Sequence, residues 1–280
     1  LVTQLNREIT ASVVRQSDGG YNVFIGNGQA LVVGTQALAL KTAATPTDPA
    51  QTTVGYASGS NTILIPEGSL QGGNLGGYLA FRSGALDGAQ NALGRVALGL
   101  AQTFNDQHRL GQDLNGAVGG DFFNVAVPNV ISSKGNNPAS SIIAGISSVG
   151  ALTTSDYQFG FDGTNYTLTR LSDKTVVSTT VVPSGASPLA LDGISITGAT
   201  LNANENFMIQ PTRNGARDIT VAISDTAKIA AAAPIRTAAA LTNSGSGTIS
   251  AGTVNPPPPV NADLQQPVTI TFHTPYDGQF

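Results

Sequence analysis

One stretch limits this chain more than any other: Ser83 to Gly111, which reads SGALDGAQNALGRVALGLAQTFNDQHRLG. Its apolar residues Leu86, Ala89, Leu93, Val96, Leu100 and Phe104 recur at alternating spacings of three and four, the pattern that draws one stripe along a helix. Ser83 is placed to cap the start, Asp87 puts negative charge in the first turn, and Arg109 puts positive charge in the last. Gly111 is a natural stop. A helix of about 25 residues would run roughly 37 Å. No other stretch offers so long an amphipathic pattern, so the rest must fold around it. A stripe of this kind most often packs inside its own domain; contact with another chain is the alternative. Ala92, Gly94, Ala97 and Gly99 lie off the stripe and are small enough to let a second helix come close.

On both sides of this helix the pattern is β. Leu1, Leu5 and Ile9 have helical spacing, so residues 1 to about 10 read as the end of a helix. Short β-rich runs follow at Ser12 to Arg15, Tyr21 to Ile25 and Ala30 to Val33, separated by the turn signals Asp18-Gly-Gly20 and Gly26-Asn-Gly28. Ala37 to Lys41, Thr52 to Tyr56 and Thr62 to Ile65 continue the series, and Gly72 to Gly77 reads as a flexible elbow into the helix. Beyond Gly111, Gln112 to Gly120 is rich in turn residues and marks a boundary, and Ser132 to Ser141 reads as a surface loop. Tyr157 to Phe161, Tyr166 to Leu171, Thr175 to Val182, Ile194 to Thr197, Asn206 to Gln210 and Asp218 to Ile223 then give about six strands at the spacing of a sandwich or barrel. Asp225 to Ala233 is long enough for one short helix. The expected fold class is α+β, mainly β, with one long amphipathic helix over about 85–110 beside a helical N-terminal segment. The expected division is 1–118 for an α+β domain of hairpins and the long helix, and 119–236 for a β-rich, sandwich- or barrel-like domain. Residues 237–280 complete it, with the stiff Pro256–Pro259 spacer and a truncated β repeat in Val268–Phe272 and Tyr276–Phe280.

Composition removes several kinds of function. Charged residues make up 11% of the chain, against about 25% in an average globular domain, so hydroxyls, amides and glycine solvate the surface. The net charge is −4 and the basic residues are scattered, which leaves no phosphate-neutralising patch and no expectation of a nucleic-acid partner. Cysteine is absent, and with it disulfides, thiolate metal sites and cysteine nucleophiles. Ile229 to Ile235, the most apolar tract, is broken by Pro234 and far short of the ~20 residues a membrane span needs. The chain does not begin with Met, and no signal peptide is expected from its first residues. It opens inside an apparent helix and stops inside a strand-like pattern, so it is expected to be an internal fragment of a longer protein.

Motifs with chemistry are equally scarce. His108 lies on the long helix and His273 in the last strand-like run; with these two histidines alone, a zinc site would need carboxylates brought from afar. No Gly-x-Ser-x-Gly elbow is present to present a nucleophile. Asp113-Leu-Asn-Gly116 resembles half of a calcium loop but lacks the Glu that would complete it, so a helix-terminating turn is the better reading. Gly26-Asn-Gly28 lacks the third glycine of a dinucleotide fingerprint and leads into a strand. Without Trp there are no strong sugar platforms. The expectation is a protein that is not an enzyme, with no catalytic, cofactor-binding or metal-binding residues, no cofactor and no small-molecule substrate.

Several segments resemble the central region of the FlgK family of flagellar hook-associated proteins. They are Leu1-Val-Thr-Gln-Leu-Asn6, Asp18-Gly-Gly-Tyr-Asn22 with Asn27-Gly28, Ile65-Pro-Glu67, and Gly76-Gly-Tyr-Leu-Ala-Phe-Arg-Ser83. The helix Leu86 to His108 with Phe104-Asn-Asp-Gln-His108, Asp121-Phe-Phe123, Thr154-Ser-Asp-Tyr157, Thr167-Leu-Thr-Arg170 and Asp225-Thr-Ala-Lys-Ile229 continue it in the same order. From Thr237 the chain departs from the shorter members and looks like the start of an inserted β domain.

The resemblance implies a structural subunit of the bacterial flagellum at the hook–filament junction. It implies export through the flagellar type III apparatus to an extracellular location and assembly as a ring of its own kind. It further implies contact with the hook protein and the next junction protein, and an export chaperone acting on a missing terminus. The absence of cysteine fits that reading. The residues expected at an interface are Leu86, Leu93, Val96, Leu100 and Phe104. A surface-exposed adhesion or binding module built from β repeats is the alternative, and a hydrolase using His108 or His273 comes third.

Overall fold

The computed structural model describes residues 1–17, 19–49, 51–243, 245–246, 248–254 and 267–270. A short helix, α1 (Val2–Glu8), precedes β1 (Ala11–Arg15), β2 (Tyr21–Ile25), β3 (Gln29–Val33) and β4 (Gln36–Ala37). Then come β5 (Leu40–Ala44), β6 (Thr52–Ser58) and β7 (Asn61–Leu64). Helical structure resumes at α2 (Gly73–Ala80), passes through a π-helical segment over Phe81–Leu86 and continues as α3 (Asp87–His108). The strands after it are β8 (Phe123–Asn124), β9 (Asn129–Ser132), β10 (Ser141–Ile146), β11 (Tyr157–Phe161), β12 (Tyr166–Arg170) and β13 (Val176–Thr179). The last are β14 (Ser184–Leu191), β15 (Ile194–Thr200) and β16 (Glu205–Gln210), a helical turn α4 (Gly215–Asp218), and β17 (Thr220–Val221). The fold is α+β and mainly β, with one long helix.

By backbone proximity the described chain forms two compact units: Leu1–Gly99 with Ala126–Asp218, and Leu100–Val125 with Ile219–Phe280. In the first, β1–β4 form an antiparallel meander and β5–β7 a second small sheet. Ile9, Ile25, Ile65 and Leu70 are buried where these strands meet the helices, with Leu5, Leu75 and Leu79 packed against them. Burying each such side chain stabilises by about 1.5–3 kcal/mol. The β2–β3 hairpin turns on Gly26, whose backbone lies against Ser69; a Cβ there would sit 2.0 Å from the Ser69 carbonyl oxygen.

The same unit holds a five-stranded antiparallel sheet ordered β13-β12-β11-β16-β9 and a three-stranded one ordered β10-β15-β14. Side chains of a strand alternate between faces, and this period of two is visible in the buried sets Tyr157 and Phe159, Tyr166 and Leu168, Phe207 and Ile209. In the second unit, β8 pairs with β17 and the segment through Ala232 pairs with Gln112.

Four local expectations change. Gly72 to Gly77 is not an elbow, because helix α2 begins at Gly73. Its glycines serve close approach instead: a Cβ on Gly73 would lie 2.5 Å from the Glu8 backbone. Ser83 does not cap a helix start; it sits mid-helix in the π segment and its hydroxyl donates to the Leu79 carbonyl. The strand expected over Asp218 to Ile223 shrinks to Thr220–Val221, since Gly215–Asp218 is a helical turn. The short helix expected over Asp225 to Ala233 is one 3-10 turn, Thr226–Lys228, capped by the Asp225 side chain.

The β14 strand escaped the sequence because it carries Gly185 and Pro188, residues a sheet tolerates at its edge, where β14 lies. Pro267–Ile270 carry no secondary structure. Asp18, the Pro256–Pro259 spacer, His273 and Tyr276–Phe280 lie outside the described residues.

Candidate assembly interface along the long helix

From Gly73 to His108 the backbone is helical throughout, roughly 50 Å of continuous rod. Leu79 faces the N-terminal core and Asn91 is buried against the β part of the same unit, although they stand twelve residues apart. At roughly 100° per residue that separation overshoots three turns by about 120°. The wide turn of the π segment absorbs one residue and reduces the mismatch to about 20°. So the bulge keeps Leu79 and Asn91 on one side of the rod.

That inward side is made of Asn91, Gly94, Leu98, Ala101, Asn105 and His108, all buried and again spaced by three and four. Most of these are polar or small, and each polar one is matched. Asn91 Nδ2 donates to the Thr154 carbonyl at 2.9 Å and to Asp156 Oδ1 at 3.0 Å, while its Oδ1 accepts from Arg213 Nε at 2.9 Å. Arg213 also pairs with Asp87 and, at 2.7 Å, with Asp156. One guanidinium therefore ties the first turn of α3 to the loop before β11. Burial pushes the Asp156 carboxyl above the usual carboxylate range, against the pull of Arg213, Asn91 and Gln210. Gly94 rests on the backbone of Thr212 and Gly215; a Cβ on it would lie 1.6 Å from the Thr212 carbonyl oxygen.

Further along, Asn105 is fully buried. Its Oδ1 accepts from the amides of Phe122 and Phe123 and its Nδ2 donates to the Phe123 carbonyl at 2.9 Å. His108 Nε2 accepts from the Ala230 amide at 2.8 Å, which places the hydrogen on Nδ1, where it donates to the Gly120 carbonyl at 2.7 Å. With both ring nitrogens used, His108 has no lone pair left for a metal or a hydroxyl nucleophile. Asp113 Oδ1 accepts from the amides of Asn115 and Ala117, so the segment resembling a calcium loop is a closed turn.

The other side of the rod carries the sequence-predicted residues, and it is open. Leu93 is 63% exposed, Val96 69% and Leu100 58%. Leu86 and Phe104 are exposed by about two-fifths, at 41% and 42%. Phe104 is partly engaged by its own chain, with its ring 4.7 Å from that of Phe122 and 5.4 Å from that of Phe123. Tyr78 and Phe81, also exposed, extend the apolar side through α2 and the π segment. The expectation that such a stripe packs inside its own domain is thus corrected: the described chain buries the opposite side. Small Gly94 receives the backbone of Thr212 and of Gly215 at the start of the helical turn α4. Sequence reasoning missed Asn91, Asn105 and Arg213, and gave Gly94 and His108 other roles. Together with Leu98 and Ala101, the helix residues Asn91, Gly94, Asn105 and His108 carry their own three-and-four spacing, a signal obscured because it is written largely in amides, a glycine and an imidazole.

This architecture, a single long helix between antiparallel β parts, has close counterparts. The family model described as the flagellar hook-associated protein FlgK helical domain matches residues 1–123, and that of the flagellar hook-associated protein 1 D2-like domain matches 131–211. Flagellar hook-associated protein 1 of Escherichia coli K12 is 38% identical over 83% of this chain and 42% of its own length. That of Salmonella typhimurium LT2 is 37% identical, with the same coverage. The structure of the flagellar hook junction protein FlgK from Burkholderia pseudomallei superposes with a TM-score of 0.79 at 37% identity, covering 90% of this chain and 47% of that one. The two family models together match well over half of the chain, which belongs to the FlgK family of flagellar hook-associated proteins. It spans about two-fifths of the length of the curated relatives it matches.

Proposed function

We propose that this chain is the central part of a structural subunit at the hook–filament junction of the bacterial flagellum, and that it works by contact rather than by catalysis. The observation that carries the reading is the open apolar side of the α2–α3 rod, with Leu86, Leu93, Val96, Leu100 and Phe104 as its contact residues. An exposed stripe of this length is costly in water unless something covers it, and an axial assembly offers such cover. The names of the matched relatives point the same way.

On this reading the partners are further copies in a ring, the hook protein, the next junction protein and an export chaperone acting outside these residues. The location is the extracellular flagellum, reached through its type III apparatus. As segments of sequence we keep 1–118, 119–236 and 237–280; family-model matches that break between 123 and 131 favour a boundary near the first of these. The adhesion alternative gains no support from relatives that are hook-associated proteins. Deleting the gene and imaging the cell surface by electron microscopy tests the reading: bare hooks without filaments are expected, and normal filaments would refute it.

A further inference from the structure

We propose that Asn27 is a site of spontaneous deamidation, selected by the fold from three Asn-Gly steps in this chain. These are Asn27-Gly28, Asn115-Gly116 and Asn214-Gly215. The chemistry needs only water. The amide nitrogen of the glycine loses its proton and attacks the asparagine side-chain carbonyl carbon. That N–C bond forms, the bond to Nδ2 breaks, and ammonia leaves with the proton. Water then opens the resulting five-membered imide. Opening at the side-chain carbonyl leaves Asp, and opening at the main-chain carbonyl leaves an isoaspartyl linkage. Reaction therefore requires a side chain free to turn onto the next residue and a glycine amide that is not held elsewhere.

The three steps differ in both requirements. Asn214 opens helical turn α4, where its carbonyl accepts from Arg217 and Asp218, and the Gly215 amide is held by the Thr212 carbonyl at 2.9 Å. Gly215 is also packed on the Gly94 backbone, so its amide is held in place. Asn115 sits in the turn organised by Asp113: its own amide donates to Asp113 Oδ1 at 2.8 Å and the Gly116 amide donates to the Asp113 carbonyl at 3.1 Å. Asn27 is different. It is exposed at the tip of the β2–β3 hairpin, and its side-chain amide has no hydrogen-bond partner among the described residues. Gly28 has φ +89, and a Cβ built there would meet nothing within 4 Å.

The consequence falls on the core beneath. The Asn27 amide donates to the Ser69 carbonyl at 2.7 Å and Gly26 is pinned against the same residue. An isoaspartyl link adds a carbon to the main chain just where the hairpin is fastened beside Ile25 and Leu70.

The test incubates the folded chain and the chain in guanidinium chloride side by side at mildly alkaline pH. Aspartyl and isoaspartyl products are then counted at each site by peptide mapping. Expected in the folded protein is conversion at Asn27 several-fold faster than at Asn115, with Asn214 several-fold below its own rate in the unfolded chain. Conversion led by Asn115 or Asn214 in the folded protein would overturn the assignment. So would an Asn27 rate several-fold lower folded than unfolded.

Discussion

The two sides of the long rod reverse the usual reading of an amphipathic helix. The inward side, from Asn91 to His108, is held by amides, an imidazole and a glycine that touches backbone; the outward side presents leucine, valine and phenylalanine to water. Directional groups suit the inward side because hydrogen bonds fix one angle and one register, which bare apolar packing would leave looser. The outward side, on the function proposed above, is the side left for a partner. The exposed stripe is apolar, while amides, an imidazole and a glycine join Leu98 and Ala101 on the buried side.

Removing Arg213 attacks the fastened side hardest. Arg213→Ala strands the carboxylates of Asp87 and Asp156 in a largely but not fully buried network, at a cost of up to about 3–5 kcal/mol, the value for a fully buried pair. Urea unfolding of the variant should show a shift of that size. Gly94→Ala comes next: it gains helix propensity but drives a methyl group into the Thr212 carbonyl, so a net loss of about 1–3 kcal/mol is expected by the same assay. Asn105→Ala leaves the amides of Phe122 and Phe123 without their acceptor, at about 1–3 kcal/mol, and should speed hydrogen exchange of those two amides selectively.

Away from the rod, Glu205 supplies a pH signature. Its carboxylate accepts from the Ser140 hydroxyl and the Asn137 and Asn202 amides, which hold its pKa down to about 2 from an ordinary 4.5. A depressed pKa means that the stabilisation is present above the ordinary value and is lost as pH falls toward about 2. The difference in Tm between the protein and Glu205→Gln should accordingly be widest near neutrality and narrow as the solution is acidified through that window. The smallest effect belongs to the open side: Leu93→Ser should change the stability of this chain by no more than about 0.5 kcal/mol, since there is little burial to lose.

The fold was largely legible. Alternation located Tyr157–Phe161 and Tyr166–Arg170, the Gly-Asn-Gly turn located the β2–β3 hairpin, and spacing located α3. What failed did so for local reasons. The glycines that open α2 look flexible in one dimension, yet in space Gly73 lets α2 lie on the end of the α1 backbone. A π segment adds a residue that no period of 3.6 accommodates, so the helix reads as starting at Ser83 when it starts ten residues earlier, at Gly73. For the candidate site, the stripe was legible while its direction was not. Which side of a helix faces its own chain was decided by Arg213 and Thr212, which lie more than a hundred residues downstream of α3 and carry no periodic mark.

The central claim is that the outward side is meant for other parts of an assembly, and one measurement goes straight to it. The combined change Leu93→Ser, Val96→Ser and Leu100→Ser is placed in the full-length gene, and the hook ends of the cells are imaged by electron microscopy. The account predicts hooks that lack filaments. Cells with filaments of normal number and attachment would contradict it.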